Sequence, residues 1–255
     1  MSATDSFGAD SAGVPWEGRS FDHAPTSDDD GSAPPKLIEA IRRFHSRELG
    51  EADVVDELRG SRLLVPLVAQ LGESGVAPSG HLVDKSQELS IVTVVGPDSR
   101  AVLPAFTSVT AMSLWNPPAR PIPANGARVA LAAAGGGTDL VVVDPTSDTE
   151  FAIRRPALWA MAQGAPWTPS YLDEEVLSEF MTAADGEDAI VAIQLAPGDP
   201  DARLEGPELL VQLSLVDGLD QADLAGLLAR VEEHWSASEV IAARVDSMIV
   251  KLAHA

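Results

Sequence analysis

The chain has 255 residues, with 39 Asp and Glu against 17 Lys and Arg, no cysteine, and a hydrophobic fraction of 45% that is enough for one or two buried cores. The missing cysteines exclude a disulfide scaffold, a thiolate nucleophile and any cysteine-held zinc or iron–sulfur centre. A net charge of −22 repels phosphate backbones and anionic lipid, so no nucleic-acid partner and no membrane partner is expected.

Charge is spread unevenly. Residues 1–33 sum to −6, residues 34–170 to −2 and residues 171–255 to −14, the last from 18 acids and 4 bases. The first 18 residues hold no Lys or Arg and no apolar run follows Met1, which is unlike a signal peptide. The most apolar stretch, Val129 to Val143, is broken by Gly135, Gly136, Gly137 and Asp139 and is too short for the roughly 20 residues of a membrane span. A cytoplasmic location is the expectation. Residues 1–33 are rich in Ser, Asp, Gly and Pro and are expected to be a disordered acidic tail. Within it Trp16 and Phe21 are either stray aromatics or a short docking segment that folds on a partner.

In chain order, Pro34 and Pro35 open a helix with Leu37, Ile38, Ile41 and Phe44 at helical spacing, and a second helix runs from about Glu51 to Arg59. Leu63 to Ala69 reads as a strand in which Pro66 predicts an edge position or a bulge. Leu89 to Val95 and Arg100 to Phe106 flank Gly96-Pro97-Asp98-Ser99 as a hairpin. A short helix carrying Val109, Met112 and Trp115 stops at Pro117 and Pro118. Ala127 to Ala134 is a helix, Leu140 to Val143 and Phe151 to Ile153 are strands, and Pro156 starts a helix that ends at Gly164. After Pro166 and Pro169 come a helix near Leu172 to Ala183, strands Ile190 to Leu195 and Leu209 to Val216, and an amphipathic helix from Leu219 to Trp235. Val240 to Leu252 is expected to form one bent strand or two short ones. Trp115, Trp159 and Trp235 fall on apolar helix faces and are expected in the core.

Few residues point to chemistry. Gly135 to Gly137 follow a helix and precede a strand, the reverse of a phosphate loop, so they read as a helix end and turn. Asp28-Asp29-Asp30-Gly31 lacks calcium-loop spacing. Asp139, Asp144, Asp148 and Glu150 surround a strand and a turn, where turn formation explains them more simply than a divalent ion. No two histidines have ligand spacing, and Gly72-Glu73-Ser74-Gly75 lacks the spacing of a nucleophile elbow. The basic spots Arg42, Arg43, Arg47 and Arg154-Arg155 either bind an acidic partner or satisfy neighbouring carboxylates.

Leu63-Leu64-Val65-Pro66-Leu67-Val68, Leu89-Ser90-Ile91-Val92-Thr93, and Leu103-Pro104-Ala105-Phe106-Thr107-Ser108 with Trp115 downstream resemble the N-terminal domain of SseB family proteins. The likeness continues through Leu140-Val141-Val142-Val143-Asp144-Pro145 and Pro156-Ala157-Leu158-Trp159, is nearest to actinobacterial members, and covers roughly residues 35–168. Residues 171–255 resemble the family's C-terminal domain. The resemblance implies a domain rather than a reaction and transfers no catalytic residue.

The sequence therefore predicts an α+β protein: a disordered tail at 1–33, a mixed-sheet N-terminal domain with covering helices at 34–168, and a smaller acidic α+β domain at 171–255. The expected function is a non-enzymatic interaction or regulatory module with no cofactor and no metal. Its expected partner is a basic protein, bound at Asp220, Asp223, Glu232, Glu233 and Glu239 and by the tail aromatics. The alternative is a small-molecule-binding protein or carboxylate-dependent hydrolase with its site between the domains.

Overall fold

A computed structural model describes residues 29–70 and 88–254. The tail aromatics Trp16 and Phe21 and the loop at Ser74 lie outside these residues. The chain is α+β, and Gly31–Ala255 is one compact unit. Gly31 is already tied down, its carbonyl accepting from Val109 N at 3.0 Å.

α1 (Pro35–His45) opens on a proline, whose missing N–H is one that no helical bond would use. It buries Leu37, Ala40, Ile41 and Phe44. α2 (Glu51–Gly60) buries Val54, Val55 and Leu58, and Gly50 N donates to Asp53 Oδ2 at 2.9 Å across its first turn. The chain then enters β1 (Arg62–Gln70), β2 (Glu88–Ile91), β3 (Val94–Val95) and β4 (Ala101–Ala105). The strand expected from Leu89 to Val95 is therefore two strands in different sheets. β2 pairs with β1, while β3 closes the predicted hairpin with β4.

α3 (Val109–Trp115), β5 (Arg120–Asn125), α4 (Gly126–Gly135), β6 (Leu140–Val143), β7 (Phe151–Arg154) and α5 (Arg155–Gln163) follow. Two sheets result, ordered β2-β1-β5 and β3-β4-β6-β7, with β4 and β6 parallel. They are stitched where Leu64 and Phe106 exchange backbone hydrogen bonds of 2.7 and 2.8 Å. β5 was not among the expected strands; Pro121 and Pro123 disfavour an interior strand, but β5 lies at an edge of its sheet, which accommodates both.

β1 itself corrects the edge expectation for Pro66, since it is the central strand of its sheet. Leu64 turns its N–H and C=O toward Phe106, and alternate residues of a strand point the same way. Pro66 therefore directs its missing donor to that side. It falls in the gap between the Phe106 bridge and the start of β2 pairing at Leu67.

Helices α1, α2, α4 and α5 bury their stripes with Leu103, Ala105, Val141, Val143, Phe151 and Ile153, and Phe44 meets Phe151 edge-on at 5.3 Å. After a single 3₁₀ turn at Ser170–Leu172, Asp173 caps α6 (Glu174–Thr182) by accepting from Glu175 N and Val176 N. β8 (Ile190–Pro197), β9 (Leu209–Leu215), α7 (Gln221–Ala237), α8 (Glu239–Arg244) and β10 (Met248–His254) complete the chain. Val240 to Arg244 is helical rather than extended, because Ser238 Oγ accepts from Ile241 N and starts a new helix. The third sheet runs β10-β9-β8, with β9 antiparallel to β8 and parallel to β10. Its buried face packs on Val176, Phe180, Leu227, Val231 and Trp235. Trp235 is core as expected, Trp115 is partly buried, and Trp159 is 39% exposed beneath the Arg155 guanidinium at 5.2 Å.

Gly126 begins α4 against the end of α2. A Cβ there would stand 1.9 Å from Leu58 O, and Gly126 N donates to Ser61 O at 3.0 Å. Gly126→Ala is expected to cost about 1–3 kcal/mol by overpacking, read as a lower urea midpoint. An unchanged midpoint would show that α4 can withdraw from α2.

Candidate functional site

The most recognisable sequence step, Phe106-Thr107-Ser108, proves to be a clasp between strands. Asp144, buried at the end of β6, accepts from Thr107 N at 2.8 Å, from Thr107 Oγ1 at 2.6 Å and from Thr149 Oγ1 at 2.8 Å. Asp144 N donates to Ala105 O at 2.8 Å, and Ser108 Oγ caps α3 by accepting from Ala111 N. Both carboxylate oxygens thus serve loop geometry. Among the described residues no group of His, Asp or Glu is arranged to hold a metal ion. Gly136 caps α4 and Gly137 has φ +70°, as a helix end and turn require.

The densest polar centre surrounds Arg154, the last residue of β7. Its side chain is 5% exposed. Nη2 donates to Asp199 Oδ2 at 2.6 Å and Gly206 O at 2.7 Å, and Nη1 donates to Asp246 Oδ2 and Ser247 Oγ at 3.3 Å. Arg100 grips Asp246 in bidentate fashion at 2.9 Å and holds Asp98 with its Nε. Buried Glu208 accepts from Ser170 Oγ at 2.7 Å and from Asp246 N at 2.6 Å. Above this network lies an open cavity of about 560 Å³, lined by Asp98, Arg100, Arg154, Glu205, Asp246 and Ser247 among others.

The carboxyls here do not titrate alike. Burial raises Asp246, but its bonds to Arg100 and Arg154 outweigh that and hold it below the usual range. Burial pushes Glu208 up. Glu51, which accepts from Tyr171 Oη at 3.5 Å, is pushed up to about 7 by burial and then by the charge of Glu208. The Tyr171 hydroxyl is raised in turn by burial and by Glu51. A carboxylate bracketed by two guanidiniums, as Asp246 is, makes a poor proton acceptor. It acts as a bolt.

The basic spots read from sequence are used within the chain. Arg42 pairs with Glu39, Arg43 with Glu48 and Arg47 with Asp201, while Arg155 Nη2 donates to Ala242 O and Val245 O at the end of α8. Of the residues picked out for partner binding, Asp220 caps α7 by accepting from Ala222 N and Asp223 N at 2.8 Å. Asp223, Glu232, Glu233 and Glu239 are exposed. At about 100° per residue, Asp223 and Glu232 lie on opposite flanks of the α7 stripe of Leu227, Val231 and Trp235, with Glu233 on its back. Sequence reasoning missed Glu51, Glu208 and Asp246, whose partners lie up to 146 residues away.

Removing the Arg154 guanidinium strands Asp199 and Asp246 in a dry setting. Arg154→Ala is expected to lose about 3–5 kcal/mol in urea unfolding. A loss below about 1 kcal/mol, the usual worth of an exposed pair, would show that water reaches the network.

Glu51 gives a pH signature. Its folded pKa lies above its ordinary 4.5, so between about 4.5 and 7 the folded state binds more protons and stability falls as pH rises. Asp246 acts oppositely, losing stability only below its ordinary 3.8. Melting temperature should fall by a few degrees from pH 5 to 7.5, and Glu51→Gln should flatten that slope. An equal slope in both proteins would remove Glu51 as its source.

Residues 36–160 match a family model described as the SseB protein N-terminal domain. No curated protein and no solved structure matches the chain. The matched span holds both halves of the Thr107–Asp144 clasp and the strand that ends in Arg154, and this part of the chain belongs to the family of SseB N-terminal domains.

Proposed function

We propose that the chain is a non-enzymatic, cytoplasmic interaction or regulatory module, built from the SseB-type domain and an acidic C-terminal domain that binds a basic protein. The supporting observation is the outer strand of the third sheet. Met248 and Leu252, which share one face of β10, are 38% and 46% exposed, with Glu232 in the groove beside Met248 and Asp217 within 3.3 Å of His254 at the other end. Apolar surface rimmed by charge is the usual makeup of a contact patch.

The cavity over Asp246 favours a second reading, a small-molecule site. Against it, Arg100 and Arg154 already take both oxygens of Asp246. Native mass spectrometry separates the two readings: a small molecule retained by the purified chain and lost in Arg100→Ala would support the second.

For the leading reading, the variant Asp223→Asn, Glu232→Gln, Glu233→Gln, Glu239→Gln removes four exposed charges and spares Asp220, whose loss would cost about 1 kcal/mol of helix capping. Four surface pairs of about 0.3–0.5 kcal/mol each correspond to about a ten-fold weaker complex. Titration of the cross-linked, purified host partner should show that loss and a steep dependence on salt. Equal binding by the variant at low and high salt would overturn the electrostatic reading.

A further inference from the structure

Among the described residues β10 has a free edge, whose polarity can be read from its ladder. Ser247 O accepts from Leu209 N at 3.0 Å, and β10 runs parallel to β9 with Met248, Val250 and Leu252 in register with Leu209, Val211 and Leu213. Backbone groups of a strand alternate in direction, so Ile249, Lys251 and Ala253 bond to β9. Met248, Val250 and Leu252 turn their N–H and C=O outward. The same three set their side chains on the face where Leu209, Val211 and Leu213 are buried. Beyond Met248 that face opens into a groove of about 390 Å³ lined by Trp235, Ile241, Val245 and Met248, with Glu232 at its rim.

We infer that β10 accepts an added strand: an extended segment of a basic partner pairs with the outward groups of Met248, Val250 and Leu252. It buries alternate apolar side chains along Met248, Leu252 and the groove, and it sets Lys or Arg beside Glu232 and Asp217. Strand addition obtains affinity from the main chain and specificity from pockets under alternate side chains, and β10 supplies both. Charge selects the occupant. A second copy would bring together two regions of 18 acids and 4 bases each, whereas a basic segment meets acids at both ends of the strand. This inference rests on the chain's reading as an interaction module.

The probe is a fluorescent ten-residue peptide of alternating Lys and Val, compared with alternating Glu and Val, titrated against the full chain by anisotropy. The Lys/Val peptide should bind at least ten-fold more tightly. Leu252→Pro removes one outward N–H that takes no part in the β9 ladder, and it should weaken binding about ten-fold, with Glu232→Gln weakening it several-fold. Hydrogen exchange on the wild-type chain keeps the test independent of the proline variant's folding: the peptide should protect the amides of Met248, Val250 and Leu252. Equal binding of the Glu/Val peptide, or no added protection at those amides, would overturn strand addition. A concentration-dependent dimer abolished by Leu252→Pro would assign the edge to a second copy and overturn the basic-partner assignment. Should the host partner still bind Leu252→Pro normally, strand addition fails while the interaction reading stands; a wild-type chain that shows no salt-sensitive partner binding fails both.

Discussion

A guanidinium has five N–H groups and no way to discharge, so one that is almost wholly buried dictates what surrounds it. Arg154 ends β7 and starts α5, and its acceptors come from Asp199 and Gly206 in the β8–β9 connection and from Asp246 and Ser247 just before β10. Its neighbour Arg155 takes the last carbonyls of α8. Two adjacent side chains at one strand end thereby fix the loop, the helix end and the strand start of the acidic sheet. The arrangement is also overcharged. Arg100 and Arg154 face Asp98, Asp199, Asp246, Glu208 and Glu51, and two cations cannot neutralise five carboxylates. Burial is the main reason Glu51 and Glu208 shift upward, the charge of Glu208 adding to it at Glu51 and that of Asp246 at Glu208, while the Arg100 and Arg154 contacts hold Asp246 down.

The connection from Gly198 to Glu208 carries the mechanical side of the same junction. Ala152 N donates to Ala202 O at 2.6 Å, Ala202 packs with the core of the SseB-type domain, and Leu204 packs with Val102, Leu140, Val142 and Ala152. The loop closes on itself where Gly198 N donates to Glu208 O at 2.8 Å, and a Cβ on Gly198 would lie 2.3 Å from Pro207 O. Glycine is required there by backbone approach. Asp199 accepts from Leu204 N at 2.8 Å and Arg203 N at 3.2 Å as well as from Arg154, so one carboxylate shapes the loop and fastens it.

Local signals were legible in the sequence where local physics decides. Pro35 at a helix start, Gly164 in the left-handed region at the end of α5, and the Gly96–Ser99 hairpin all appear where spacing placed them. The strand β5 was hidden because Pro121 and Pro123 are breakers unless a strand lies at an edge, a property of the sheet that no window of sequence contains. α8 was hidden by the apolar run from Val240 to Leu252, since such runs fit either periodicity and only the Ser238 cap decides between them. The Arg154 centre was half visible. Arginines seeking carboxylates in the acidic region were expected, but nothing local separates Asp246 from Asp217, one 1% exposed at the side chain and the other 85%.

That difference bears on how the acid excess of residues 171–255 should be understood. Asp173 and Asp220 are spent on helix caps, Asp199, Glu208 and Asp246 on the buried junction, and Glu187 on Arg230. Each of these would be needed in a protein of neutral charge. Among the described residues, Asp223, Glu232, Glu233 and Glu239 make no ion pair, and they are exposed. Because they are dispersed around α7 and the start of α8 rather than stacked on one face, they do not form a single charged plate. They create instead a diffuse negative field, whose range at physiological ionic strength is about 8 Å. A field of that reach raises the local concentration of cations and cationic peptide without fixing register. Register must then come from directional groups, and the outward N–H and C=O of β10 are an ordered row of them beside exposed apolar side chains. In the proposed complex, surface charge and strand edge would have complementary parts, the first in encounter and the second in alignment.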